Sequence, residues 1–243
     1  MPTPLIADNW RAPVAAAAAV AGALVAVLAA LVHSASTSFD DWMFRELYHH
    51  IGTNGALALL ELSAPALSMG ILAFVIVFAA LVRQWNFAVL AAAGPALAVG
   101  LTKFVLKPLI GRSFNGEVLR PLAGPSVPLG QFSLHGVFPS GHETAVASTA
   151  MVLLIVVCRL PLRTGARSVL IALLAVWTLL AAVGLVRNFW HYATDTIGAL
   201  GVSAAVIGGA ALAIDRAARR IVQRRTAQPA MAPAQLTQFT PRS

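Results

Sequence analysis

Apolar residues along this chain come in long unbroken runs separated by short polar stretches, and each run is about 20 residues, enough to cross a hydrocarbon core. Pro13–Val32, Ala56–Val82, Asn86–Leu106, His142–Leu160, Ser168–Val186 and Tyr192–Ile214 predict six transmembrane helices. The first run, followed by "HSAS", is longer than the roughly 7–15 residues of a signal-peptide core, so it reads as a span. Between the first two spans, His33–Gly55 contains "FDDWMFRELYHHIG". There Trp42, Phe44, Leu47, Tyr48 and Ile51 recur at helical spacing, which predicts an amphipathic segment on the membrane surface. Pro108–Phe138, rich in Gly and Pro, predicts an irregular loop of the length that builds or covers a site. The expected fold is therefore all-α, a single six-helix membrane domain over residues 1–225 with a disordered tail over 226–243.

Composition agrees with the pattern. Of 243 residues, 58% are hydrophobic and 11% charged, with mean hydropathy +0.79, which excludes an ordinary soluble domain. A net charge of +8 raises nucleic acid as a partner, but the arginines fall between apolar runs rather than on one soluble face, so no nucleic acid is expected. Their distribution orients the chain instead. With the N-terminus inside, the cytoplasmic segments hold Arg11, Arg83, Arg159, Arg163, Arg167, Arg216, Arg219, Arg220, Arg224, Arg225 and Arg242, while Arg45, Lys103, Lys107, Arg112, Arg120 and Arg187 face outward. That bias puts both termini in the cytoplasm of a multi-pass plasma-membrane protein. The single cysteine, Cys158, allows no disulfide within the chain and has a packing role.

In this orientation the end of span three and the starts of spans four and six meet the outer face, and they carry nearly every unusual polar residue. Span three ends in "KFVLKPLIGR". Lys103 there reads as a snorkelling lysine, whereas Lys107 and Arg112, separated by the turn-permitting Gly111, can cradle an anion. Span four opens with "PSGHE", in which Ser140 and Glu143 have the spacing of a capping box. Capping does not require His142. A helix start with free N–H groups is also an anion site, and a histidine there can protonate a leaving group. Span six opens with "VRNFWHYATD", where His191 and Asp195 stand four apart on one helix face, so the carboxylate can fix the imidazole tautomer. The set of Lys107, Arg112, Ser140, His142, Arg187, His191 and Asp195 fits phosphoryl transfer through a phosphohistidine. Glu61, inside span two, is an intramembrane acid and by default a functional candidate unless it sits at the outer end.

The three stretches resemble the motifs of the type 2 phosphatidic acid phosphatase family, K-x6-RP, PSGH and SR-x5-H-x3-D, a family that shares its site with vanadium haloperoxidases. Pro139–His142 is the middle motif unchanged, and His191 with Asp195 keeps the H-x3-D ending. Two departures stand out. Phe114 and Asn115 occupy the final Arg–Pro of the first motif, and Gly184 and Leu185 the Ser–Arg of the third. Arg112 and Arg187 are then expected to take over anion binding from shifted positions.

The resemblance implies that His191 attacks phosphorus, Asp195 orients it and His142 protonates the leaving oxygen. Lys107, Arg112, Arg187, Ser140 and Gly141 hold the phosphoryl oxygens, and neither metal nor cofactor takes part. Glu143 caps its helix or raises the pKa of His142. The implied substrate is a lipid phosphate or diphosphate presented from the outer leaflet. Alternatives are transfer to a second lipid alcohol, haloperoxidase chemistry, a metal site at His142, Glu143, His191 and Asp195, and a non-catalytic lipid-binding or transport protein with a degenerate site.

Overall fold

Prolines and left-handed turns decide where the apolar runs break. The computed structural model describes residues 3–32, 36–115 and 133–227. After a single 3-10 turn at Asp8–Trp10, helix α1 (Arg11–Val32) forms the first span. Helix α2 (Ser38–His50) follows, as the amphipathic spacing predicts. Its Thr37 and Asp40 form a complete capping box. Phe44 is buried beneath it while Phe39 and Trp42 stay exposed.

The second span is two helices, α3 (Thr53–Glu61) and α4 (Pro65–Leu81). Pro65 has no N–H to donate and opens α4, so the ladder is interrupted at 62–64. The freed carbonyl of Leu62 accepts the Trp177 indole N–H at 3.1 Å, which satisfies a polar group that lipid cannot. Glu61 ends α3 and is exposed.

The third span runs through α5 (Trp85–Leu101), a widened π-type turn at Thr102–Leu106 and the short α6 (Lys107–Ile110). Gly111, at φ 64°, closes it in the left-handed conformation that glycine adopts without strain. The stretch expected to be irregular, Pro108–Phe138, begins in α6 and contains an antiparallel ribbon, β1 (Ser113–Asn115) with β2 (Ser133–His135). Residues 116–132 lie outside the described residues.

The remaining spans are α7 (Gly141–Arg159), α8 (Thr164–Arg187) and α9 (Ala193–Ala227). Among the described residues, six segments are long and apolar enough to cross a membrane, as the sequence pattern predicts. Helix α9 runs well past the predicted end at Ile214, because hydropathy marks where a span leaves lipid and not where its helix stops. Residues 226 and 227, expected in the tail, belong to α9, and 228–243 lie outside the described residues.

Helix α9 is the hub, packed against α1, α5 and α7, while α3 lies against α8. Lipid gives no hydrophobic drive between helices, so small residues allow close approach. A Cβ on Gly201 would fall 2.5 Å from Val25, and one on Gly184 would fall 2.5 Å from the Leu59 carbonyl carbon. At the end of the bundle away from α2, the buried Asp215 carboxylate accepts the backbone N–H groups of Leu5 and Ile6 at 2.8 and 2.9 Å and pairs with Arg11 at 3.4 Å.

Candidate active site

Three helix ends and α2 converge to form the site. Ser140 caps α7, its Oγ accepting the Glu143 N–H at 3.2 Å. The reciprocal half of the expected capping box is absent. The Ser140 N–H goes instead to the carbonyl of Asp195 at 3.1 Å, and both Glu143 carboxyl oxygens are buried without a hydrogen-bond partner. One backbone bond thus joins the start of α7 to the start of α9. Gly141 and His142 occupy the first turn of α7, where N–H groups have no intrahelical acceptor.

Asp195 sits in the first turn of α9, fully buried. Its Oδ2 accepts the Tyr192 N–H at 3.0 Å and lies 3.4 Å from His191 Nδ1. That second contact is too long and poorly aligned to count as a formed hydrogen bond. Contacts of this kind in unliganded sites commonly tighten when substrate binds. With Nδ1 turned to the carboxylate, Nε2 is the nitrogen left to react. The His142 and His191 imidazole centroids are 6.4 Å apart, and His142 packs edge-on against Trp190 at 5.1 Å. Lys107 is half-buried on α6 and within electrostatic reach of both His142 and Asp195.

The two arginines have different surroundings. Arg112 is fully buried. Its Nη1 donates to Asp195 Oδ1 and to Thr194 Oγ1 at 2.7 Å, and its Nη2 donates to Asp40 Oδ2 at 2.8 Å. The guanidinium is thus enclosed between two carboxylates, Asp195 and Asp40. Arg187 is anchored by Nε, which donates to the Ile51 carbonyl at 2.8 Å, with its guanidinium over the Tyr48 ring at 4.3 Å.

Asp40 is the residue that the sequence did not single out. It lies in the first turn of α2, fully buried. Oδ1 accepts the Thr194 N–H at 2.8 Å, and Oδ2 accepts the Thr37 N–H at 2.9 Å as well as Arg112. Burial alone would raise its pKa. The backbone donors of Thr194 and Thr37 and the Arg112 charge outweigh burial and hold the carboxyl below its usual range.

The motif departures have packing causes. Phe114, where an arginine was expected, is buried against Tyr192 at 4.8 Å, and the Tyr192 ring lies 4.3 Å from the Arg112 guanidinium carbon. Position 184 admits no side chain because the α3 backbone occupies its Cβ space, and Leu185 is fully buried.

An apolar groove of about 490 Å³ runs between α7, α8 and α9, with Phe39, Met43 and Leu47 of α2 as its roof. It reaches Val186 and Ala193, beside the histidine pair. A larger cleft of about 770 Å³ lies toward the other end of the bundle, around Phe74, Arg159 and Leu160, away from these groups. Among the described residues, no three His, Cys, Asp or Glu side chains gather in a way that could hold a metal ion.

The sequence profile of the PAP2 superfamily matches residues 88–219, more than half of the chain. The chain belongs to the PAP2 superfamily. All three motif stretches of this PAP2 protein lie within that match. Its fold is similar to the crystal structure of a transmembrane PAP2-type phosphatidylglycerolphosphate phosphatase from Bacillus subtilis, at 18% identity and a TM-score of 0.57, covering 85% of this chain and 98% of that one. No curated protein matches the sequence.

Proposed function

We propose that this PAP2 protein is an integral membrane phosphatase that hydrolyses a lipid phosphate or diphosphate through a phosphohistidine on His191. The observation that carries the reading is the pairing of two histidines at the mouths of α7 and α9, one of them backed by a buried carboxylate. The resemblance of the Bacillus subtilis phosphatidylglycerolphosphate phosphatase supports a lipid substrate of that kind, with phosphatidate and polyprenyl phosphates in the same chemical class.

In the proposed reaction Nε2 of His191 attacks phosphorus in line as the bond to the leaving oxygen breaks, and His142 gives its proton to that oxygen. Water then attacks the phosphohistidine, returning one proton to His142 and releasing phosphate. Asp195 holds the tautomer and stabilises the positive charge that develops on His191. Lys107, the N–H groups of Gly141 and His142, and the terminal nitrogens of Arg187 hold the phosphoryl oxygens. Ser140 acts by fixing the helix start. Arg112 acts behind Asp195. No metal is assigned a role.

The apolar groove beneath α2 supports a substrate whose tail stays in the bilayer while its phosphate reaches the histidines. The arginine bias supports placing this site on the outer face of the plasma membrane with both termini inside.

Purified protein in detergent with chelator, given a panel of lipid phosphates and diphosphates, tests the reading. Phosphate release from at least one lipid is expected. Binding without release, unchanged in His191→Ala, would support the lipid-binding alternative, and transfer of the phosphoryl group to an added lipid alcohol would support a phosphotransferase.

A further inference from the structure

Arg112 has a guanidinium fork that, left alone with one carboxylate, closes on both of its oxygens. Here the fork is divided. Nη2 goes to Asp40 and Nη1 to Asp195 Oδ1, which leaves Asp195 Oδ2 turned to the Tyr192 N–H and to His191 Nδ1. Thr194 ties the two halves together, its hydroxyl accepting from Nη1 and lying 2.9 Å from Asp40 Oδ1. All of these carboxylates and the guanidinium are closed to bulk solvent.

We propose that Asp40, from the surface helix α2, is a positioning residue for His191: by taking one arm of Arg112 it keeps the second oxygen of Asp195 available to the imidazole. The inference rests on the phosphatase reading for its kinetic consequence, but the geometry it describes does not. Without the Asp40 charge, the fork turns wholly onto Asp195, Oδ2 is withdrawn from His191, and the imidazole loses its fixed orientation. Helix α2 thereby becomes part of the site, although it carries none of the three motifs.

The test is a double-mutant cycle of Asp40→Asn and Asp195→Asn, read in two ways. The first is kcat and KM on one lipid phosphate in detergent. The second is the rate at which diethyl pyrocarbonate modifies His191, followed by peptide mass spectrometry. For Asp40→Asn alone, kcat is expected to fall about 10–100-fold, the cost of a small misplacement of a reacting group, with KM nearly unchanged. In the Asp195→Asn background the same change should cost less than about twofold, because the path from Asp40 to His191 is already broken. His191 labelling should move toward the Asp195→Asn rate in Asp40→Asn and move no further in the double variant.

An equal loss in both backgrounds, or wild-type labelling in Asp40→Asn, would overturn the proposal. If Asp40→Asn does not fold, Thr194→Val removes the tying hydroxyl at nearly constant shape and should show the same dependence on Asp195. Should wild-type protein release phosphate from no lipid, the phosphatase reading fails, while the labelling rates still decide the role of Asp40.

Discussion

Arg112 and Asp195 meet as a fully buried ion pair directly behind His191, the nucleophile of the proposed reaction. A charge so enclosed is costly unless every arm is matched. The Arg112 Nη1 is met by Asp195 and Thr194 within the third motif stretch and its Nη2 by Asp40 from outside the motifs. The proposed reactive groups, His142, His191 and Lys107, thus lie beside a buried polar layer of Asp40, Arg112, Thr194 and Asp195.

Asp195→Asn keeps the shape of the site and removes the charge that stabilises a positive imidazole. It is expected to lower kcat by about 10²–10⁴-fold with little change in KM, the range for losing one element of acid–base assistance. Steady-state kinetics on a single lipid phosphate check this.

Asp40 also makes stability depend on pH. Its carboxyl is held below the usual range in the folded protein, so the stabilisation is fully present above the unfolded value of about 3.9 and is lost as pH falls through the lower folded value. Wild type should therefore exceed Asp40→Asn in thermal stability by a constant margin from neutral pH down to about 5, and the margin should close below about 4. Breaking one partner of a buried pair costs about 3–5 kcal/mol, so the gap at neutral pH should be large. Melting curves in detergent across that range decide it.

Gly184→Ala tests the contact between α3 and α8. The added Cβ would meet the Leu59 and Leu60 backbone at 2.5–2.7 Å, where no flexible side chain can yield. A loss of about 1–3 kcal/mol is expected, as for overpacking of a filled interior, and it should be visible as a lower Tm. An unchanged Tm would mean that the two helices are not in contact as described.

Arg187→Lys separates the two arginines. The lysine keeps a charge but loses the Nε bond to Ile51 and the planar contact with Tyr48. If Arg187 holds phosphoryl oxygens, KM for the lipid phosphate rises and the affinity of inorganic phosphate as an inhibitor falls together with it.

The six spans were legible in the sequence because a bilayer demands about 20 apolar residues whatever their neighbours. The unchanged motif spacing pointed to His142, His191 and Asp195, and the fold brings them together, His142 and Asp195 in the first turns of α7 and α9 and His191 two residues before α9. The surroundings of Arg112 were not legible, since sequence shows that a cation is present and not which carboxylates enclose it. Asp40 was missed although "TSFDD" carries the capping-box spacing from Thr37 to Asp40 and the chain has only nine acidic residues. Its partners lie more than 70 and 150 positions away, at Arg112 and Thr194, and only the folded bundle brings them together. The ribbon at Ser113–Asn115 was hidden for the same reason, because its pairing strand begins at Ser133.

The central claim is that phosphorus passes through His191. The most direct measurement is a rapid alkaline quench of the protein during turnover of a lipid radiolabelled in its terminal phosphate, followed by mapping of the base-stable, acid-labile label. The account predicts label on His191, absent from His191→Ala. Phosphate release with no label on the protein, or with label on a different residue, would contradict it.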